Sequence, residues 1–467
     1  MVGSRCSPSV GALVTCALLS AASLRAEPRP RVELSGLFVS DNWLRGAAPE
    51  PPFWDALGSL GSGRSSRVRL LALADEPAIL PNVSTRARLG LELELDGLGE
   101  GTAVGVHDAS SSLGLMWRAA PRTLLTLEAY PFDTDYRRVG YLHALDWGGT
   151  AASRRESIFL ARKGGAPGCF LQLAHAGLTL FVGAKWARVG EGVAAARRLW
   201  GGLGGGSLEL GPSLRVDSGF GLFQRERGFV EGASLRWVWH DRVGEPEVAS
   251  EPFRPPTLRE TPDHLVASSP QGAALALEGV MLALRVPGQR TLLGAPAAAL
   301  YGSLRGARGA LHAALVWRSL PFVLRSDPGS SGEEQAIAES PEQAELTAWL
   351  GGSLTLEPSA LVPSFELGVR LPSSLYTPSS WPGVMQTWVA GSSPGLEPLP
   401  LGSQRLPLLA ARLGLRWQAS QSLSLAFACD YQRDANRVRL KSVGSTLERV
   451  FDQPDSLRLS VGVQARF

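Results

Sequence analysis

The six histidines are the first candidates for acid–base or nucleophilic chemistry in this chain. The six are His107, His143, His175, His240, His264 and His312. Side chains alternate along a strand, so a His-x-Ser spacing puts the two side chains on one face. None of the six is followed two positions later by serine. The nearest approach, His107-Asp108-Ala109-Ser110, reads as a strand end entering a turn. Asp133, Asp135 and His143 lie close enough for acid–base work, but they are common residues in a single cluster without a motif. No His-x-His or Cys-x-x-Cys pair could open a metal site. The acidic segment 319–343, with Asp327, Glu333, Glu334, Glu339 and Glu342, lacks the ordered spacing of a calcium loop. Gly204-Gly205-Gly206 follows no strand-to-helix pattern, so it predicts no phosphate cradle. The expectation is a non-enzymatic chain with neither cofactor nor metal.

The charged residues that remain are arranged by alternation. Ala87, Leu89, Leu91, Leu93 and Leu95 share one parity, and Arg86, Arg88, Glu92 and Glu94 share the other. Phe365, Leu367, Val369 and Leu371 face away from Glu366 and Arg370. Ala411, Leu413, Leu415 and Trp417 face away from Arg412, Gly414 and Arg416. A period of two belongs to strands with one apolar and one polar face. Similar segments, some blurred, start near residues 32, 67, 102, 113, 123, 158, 178, 208, 233, 275, 299, 311, 346, 408 and 423. Tryptophan falls on the apolar parity near segment ends: Trp117, Trp186, Trp237, Trp317 and Trp417. An indole prefers the headgroup level of a bilayer, so these five are candidates for aromatic girdles.

The chain ends on the same pattern. Leu457, Leu459, Val461, Val463, Ala465 and Phe467 alternate with Arg458, Ser460, Gly462, Gln464 and Arg466. This resembles the C-terminal strand of bacterial outer-membrane β-barrels. The resemblance implies that Val463 and Phe467 belong to a signal read by the barrel assembly machinery, and that the chain ends on the periplasmic side. It also implies the fold: an all-β, transmembrane, antiparallel up-and-down barrel, for which the count of alternating segments, with the even number such barrels take, gives about 16–18 strands. Mean hydropathy is near zero because lipid-facing and lumen-facing residues cancel.

Residues 1–26 carry Arg5, an apolar stretch from Val10 to Leu19 and small residues at Ala21, Ala22, Ser23 and Ala26. That order predicts a secretory signal peptide, with residues 27–467 as the barrel. Cys6 and Cys16 leave with it, and Cys169 and Cys429 alone suggest no disulfide framework. A net charge of +3 offers no polybasic surface for nucleic acid.

Long polar connections fall near 41–63, 240–270, 319–343 and 372–405, and tight ones at 225–228, 305–309, 357–360 and 419–421. Long loops outside and short turns inside is the barrel rule. Counting back from the C-terminus places 372–405 and 319–343 outside. Upstream of Gly294 the rule fails, because 240–270 lands on the periplasmic side. Either a strand is miscounted, or that segment is an insertion.

The leading functional expectation is a porin-like pore for hydrophilic solutes. Arg86, Arg88, Glu92, Glu94, Glu366, Arg370, Arg412 and Arg416 are its candidate lumen-facing residues, and the excess of arginine would favour anions. Export of an acidic polysaccharide is a variant of this reading. The competing class is a structural barrel that anchors periplasmic partners of an envelope machine for secretion, motility or surface polysaccharide. A soluble secreted β protein is the third class. Both barrel readings place the chain in the outer membrane, surrounded by its lipid.

Overall fold

The computed structural model describes residues 31–466 apart from 41–42, 45–65, 81, 97–102, 109–110, 133–166, 190–196, 226–227, 241–271, 286–291, 325–341, 391–395, 421 and 445. The signal segment 1–26 and Phe467 therefore lie outside the described residues.

The chain runs through one large antiparallel sheet. Its strands are β1 (Arg31–Val39), β2 (Ser66–Leu80), β3 (Val83–Asp96), β4 (Ala103–Asp108 and Ser112–Ala120), β5 (Thr123–Tyr130) and β6 (Gly168–His175). They continue as β7 (Leu178–Val189), β8 (Arg197–Glu209), β9 (Leu214–Arg225), β10 (Gly228–His240), β11 (Gly272–Arg285) and β12 (Leu292–Arg305). The last six are β13 (Gly309–Arg318), β14 (Glu345–Leu354), β15 (Leu361–Leu371), β16 (Leu408–Gln418), β17 (Leu423–Asp434) and β18 (Asp455–Arg466). The sheet has 19 strands, but both segments of β4 pair with β3, at different heights, so they form one interrupted stave and 18 staves remain. Each stave pairs with its sequence neighbours, and β18 pairs back to β1 from Glu33↔Arg466 to Val39↔Ser460. The pairing is therefore cyclic, which satisfies every stave on both edges.

The burial pattern is the reverse of a soluble protein. Along β13, Leu311, Leu315 and Trp317 are exposed while His312, Val316 and Arg318 are buried. Along β14, Leu346 and Leu350 are exposed while Glu345 and Thr347 are buried. Leucines thus point outward around the wall and charged residues point in, as a membrane-spanning barrel requires. No helix among the described residues is long and apolar enough to cross a membrane.

Seven of the connections at the end where the C-terminus lies are short. One of them, between His175 and Leu178, places Ala176 (φ 44°) and Gly177 (φ 88°) both in the left-handed region. That is the twist a two-residue hairpin turn needs. The segment between His240 and Gly272 also belongs to this end, since Gly272 pairs with Arg305 beside the short 306–308 turn. The Arg225–Gly228 turn, in contrast, lies at the opposite, loop-bearing end. No strand was miscounted there: one long and one short connection occupy ends where the rule expects the reverse. Residues 241–271 themselves lie outside the described residues.

Two features of the wall were illegible as alternation. The segments starting near 102 and 113 are one stave, and β8 was missed. β8 carries Gly201, Gly202, Gly204, Gly205 and Gly206, so it has almost no apolar parity to read. Neighbouring rings replace its side chains. A Cβ on Gly205 would lie 2.9 Å from the Phe181 ring, and one on Gly204 would lie 2.5 Å from the Phe220 ring.

At the loop end, the connections after β13 and β15 fold together. Strands Glu342–Gln343, Ser374–Pro378, Met385–Ala390 and Leu396–Pro398 form a small sheet. A single helical turn, α1 (Leu320–Leu324), lies between β12 and the Met385–Ala390 strand. Ser319 N donates to Pro296 O at 3.1 Å, and Leu320 and Phe322 are fully buried. Arg405 Nη1 donates to Ala344 O at 2.9 Å and to Pro372 O at 2.8 Å, tying the stems of both loops. Burial lowers the Arg405 pKa below the ordinary guanidinium value, with Tyr376 acting in the opposite direction.

Candidate functional site: the inner wall

Register assembles the inward charges into a row. Across seven staves the backbone partners are Ser303 and His312, His312 and Gly351, Gly351 and Glu366, Glu366 and Arg412, Arg412 and Asp430, and Asp430 and Arg458. Arg412 Nη2 donates to Asp430 Oδ2 at 3.3 Å, and its Nε also donates to that carboxylate. Arg412 Nη1 lies 3.6 Å from Glu366 Oε2. His312 Nε2 lies 3.8 Å from Glu366 Oε1, with both side chains 8% exposed. This last contact spans an intervening stave. It is open because residue 351 is glycine: a Cβ there would stand 2.3 Å from His312 Nε2 and 3.0 Å from Glu366 Cγ. The signs alternate along the row, so with neutral imidazole its formal charges cancel.

A second pair crowns the same sector. Arg318 and Glu345 are register partners, and Arg318 Nε donates to Glu345 Oε1 at 2.8 Å. Thr347 Oγ1 donates to the same oxygen at 3.4 Å. Both charged side chains are almost completely buried. Hydrogen bonds to charged groups contribute about 1.5–3 kcal/mol each, so the pair braces the wall below the folded loops.

Between these charged levels the inner face is apolar. Ala276, Tyr301, Ala314, Trp349 and Ala410 share one register row and are buried together. Ala274, Ala299, Val316 and Leu408 belong to the same cluster. A uniformly polar lumen was the expectation, and this sector departs from it. The segments near 275 and 299 read as blurred alternation because alanine stands on the inward parity there and leucine on the outward one.

Past β18 and β1, the staves β2 and β3 set residues of opposite charge at partnered register positions. Backbone register sets Arg69 opposite Glu92, Arg67 opposite Glu94 and Asp75 opposite Arg86, while Leu73 faces Arg88. Arg86 and Arg88 are half-buried. Of Arg67, Arg69, Leu73, Asp75, Glu92 and Glu94 only the backbone is described. Beyond them, Tyr130, Phe170 and Phe181 bury an aromatic cluster on the inner face, with Tyr130 edge-on to Phe170 at 6.0 Å.

The remaining candidates divide by position. Glu366 and Arg412 belong to the charged row, and Arg370, half-buried, faces Thr347 and Leu408. Arg416 is exposed and faces Val362 and Ala426, so no carboxylate stands opposite it in register. Trp117 and Trp417 are exposed on the outer face near the turn end, and Trp186 and Trp317 near the loop end. Trp239, on the same parity as Trp237, is exposed likewise, and so is Trp200, the register partner of Trp186, which was not among the girdle candidates. For Trp237 only the backbone is described. Val463 pairs with Leu425 and with Gly36. Between the partner of Trp417 (Leu361) and the partner of Leu346, beside Trp317, β15 runs ten residues to Leu371. At about 3.3 Å per residue and a tilt of about 40°, that span projects to roughly 25 Å, the height of an outer-membrane apolar band.

Asp430 and His312 were not singled out from the sequence. Asp430 was legible in part, because it stands opposite the parity of Phe427, Cys429 and Tyr431. Its partner was not, since Arg412 reaches it only through the register of two staves.

A closed wall, apolar outside and ionic within, defines a transmembrane β-barrel of porin-like build. No protein-family model matches the chain, and no curated protein matches it. Among solved structures it is similar to OccK3 (OpdO) of Pseudomonas aeruginosa, with 13% identity, a TM-score of 0.48 and coverage of 94% of this chain and 95% of that one. It is also similar to the outer membrane protein OprD from Pseudomonas aeruginosa (10% identity, TM-score 0.47, 94% and 93% covered). OccAB2 of Acinetobacter baumannii shares 6% identity at a TM-score of 0.49, with 94% and 97% covered. With scores below 0.5, these likenesses settle neither family nor substrate. The barrel assignment rests on the cyclic pairing and the inverted burial.

Proposed function

We propose that this chain is an outer-membrane pore for small hydrophilic solutes, with the wall itself as the working element. The observation that carries the reading is the cyclic wall of 18 staves with its polar residues turned inward. A ring of that size is wide enough for an aqueous channel. The C-terminal resemblance makes the turn end periplasmic and the folded loops extracellular. Val463 and Phe467 then serve barrel assembly, and the two tryptophan levels contact the headgroups of the surrounding lipid.

The charge pattern refines what passes. Arg412 and Arg458 offset Asp430 and Glu366, and Arg318 offsets Glu345, within the wall, so they stiffen it more than they select. Arg416 has no such partner opposite and is the side chain best placed to attract an anion. The buried apolar sector and the folded loops favour small solutes over an exported polysaccharide. Purified barrel in planar bilayers should give ohmic single-channel steps with a mild preference for anions. A folded barrel that carries no current would overturn the pore reading and leave the structural anchor.

A further inference from the structure

We propose that a groove on the outer face of staves β12 to β15 binds one lipid with a phosphoethanolamine headgroup. The inference is independent of whether the barrel conducts. The groove has a volume of about 680 Å³ and lies at the turn end. Leu304, Leu311, Leu354 and Phe365 line its sides, and Gly309 and Gly352 its floor. All four larger side chains are exposed on the outer face. Register brings these residues together: Gly309 partners Leu354, and Gly352 partners both Leu311 and Phe365. A Cβ at 352 would stand 2.8 Å from Leu311 Cδ2 and 3.0 Å from the Phe365 ring, so any side chain there would displace both sides of the groove. A hollow that faces hydrocarbon and stays unfilled forfeits dispersion contacts along its lining. A flexible acyl chain is what a bilayer supplies at that depth.

The rim of the groove carries the charges that choose the headgroup. Arg308 Nη2 lies 3.5 Å from Glu357 Oε2, and both side chains are mostly exposed. Register sets the pair beside Trp417, which partners Leu361; Leu361 in turn bridges Leu356, next to Glu357. The Trp417 indole is exposed, and an indole favours the headgroup level, so the two charges lie where lipid phosphates do. Their turns are joined. Gly306 N donates to Gly309 O at 2.8 Å, and Thr355 N donates to Arg308 O at 2.6 Å. An exposed ion pair adds little to stability. A cation and an anion held side by side do, however, complement a zwitterion. The guanidinium has five N–H donors to offer a phosphate. The carboxylate accepts from a primary ammonium, and a choline or glycerol headgroup brings no such cationic donor. The charge pattern therefore selects phosphoethanolamine, with its acyl chain in the groove.

Two measurements on the full chain in detergent test this. The first is native mass spectrometry with added phosphatidylethanolamine, phosphatidylglycerol or phosphatidylcholine. Wild type should retain one phosphatidylethanolamine in preference to the other two. Arg308→Gln should lower that retention about tenfold, the scale of one hydrogen bond to a charged group. Glu357→Gln should abolish the preference over phosphatidylglycerol. Arg122→Gln changes an exposed arginine on the β4–β5 turn, outside the groove, and should leave retention unchanged. Equal retention of the three lipids, or equal losses at 308 and 122, overturns the proposal. The second measurement locates the chain. Phosphatidylethanolamine with a photoreactive acyl tail should label segments 304–311 and 352–365. Leu304→Trp adds bulk to an exposed side of the groove and should reduce that labelling. Labelling spread around the whole outer wall, as ordinary boundary lipid gives, overturns the proposal. So does a dimer whose groove takes no label, which would mean that a second copy covers this face.

Discussion

Replacing Arg412 by alanine should destabilise the barrel by about 3 kcal/mol, far more than the same change at Arg416. Arg412 bridges two carboxylates, Asp430 on one neighbouring stave and Glu366 on the other. The Arg412, Asp430 and Glu366 side chains are only 14%, 13% and 8% exposed. Truncation leaves two inward carboxylates two stave spacings apart, roughly 9.6 Å, with no cation between them. Breaking a buried pair by removing one partner costs about 3–5 kcal/mol, and water in the lumen brings the expectation to the low end. That is on the order of a hundredfold in the folding equilibrium. Urea unfolding in lipid vesicles measures it, followed by tryptophan fluorescence and by the mobility shift of folded barrel on unheated gels. Adding Asp430→Asn and Glu366→Gln to Arg412→Ala should recover part of the loss, because the uncompensated charges are then gone. Arg416→Ala should fall within about 0.5 kcal/mol of wild type, as it is exposed and has Val362 and Ala426 for register partners. Equal losses at 412 and 416, or no recovery in the triple variant, would refute the claim that the row is held by in-wall pairing.

Arg416→Glu should move the reversal potential toward cations while leaving the unfolding midpoint nearly unchanged; planar bilayers and urea titration read the two effects. Phe181→Ala should cost about 3 kcal/mol, since it uncovers Gly205 and empties a buried site beside Phe170; the urea midpoint checks it. Ala176→Gly should be neutral or stabilising by a few tenths to 1 kcal/mol, because φ of 44° strains alanine and not glycine. Arg405→Gln should loosen both loop stems, seen as faster hydrogen exchange near residues 344 and 372–374 with unchanged exchange in the β16 and β17 amides.

Fold class was legible because a barrel is written locally. Every stave with leucine on one parity and polar residues on the other announces its two faces without reference to any neighbour. β8 escaped because its glycines give neither parity any signal, and the identity of that stave is supplied by Phe181 and Phe220 from the strands beside it. Sidedness was legible from the C-terminus back to Gly294 and failed at the long 241–271 segment, where the loop-length rule is a tendency and not a constraint.

The sequence by itself determined the inward and outward faces of the staves that carry leucine on one parity, and the parity on which tryptophan falls. These depend on the period of two and on side-chain chemistry, which act residue by residue. Only the tertiary structure decided which charges meet. His312, Glu366, Arg412, Asp430 and Arg458 are separated by loops of very different length, and a register shift of one residue on any stave would turn its charge to the lipid. Ring closure fixes that register on all staves at once. The same closure turned the arginines read as pore-lining into two kinds, Arg412 held within the wall and Arg416 exposed with no carboxylate opposite it in register.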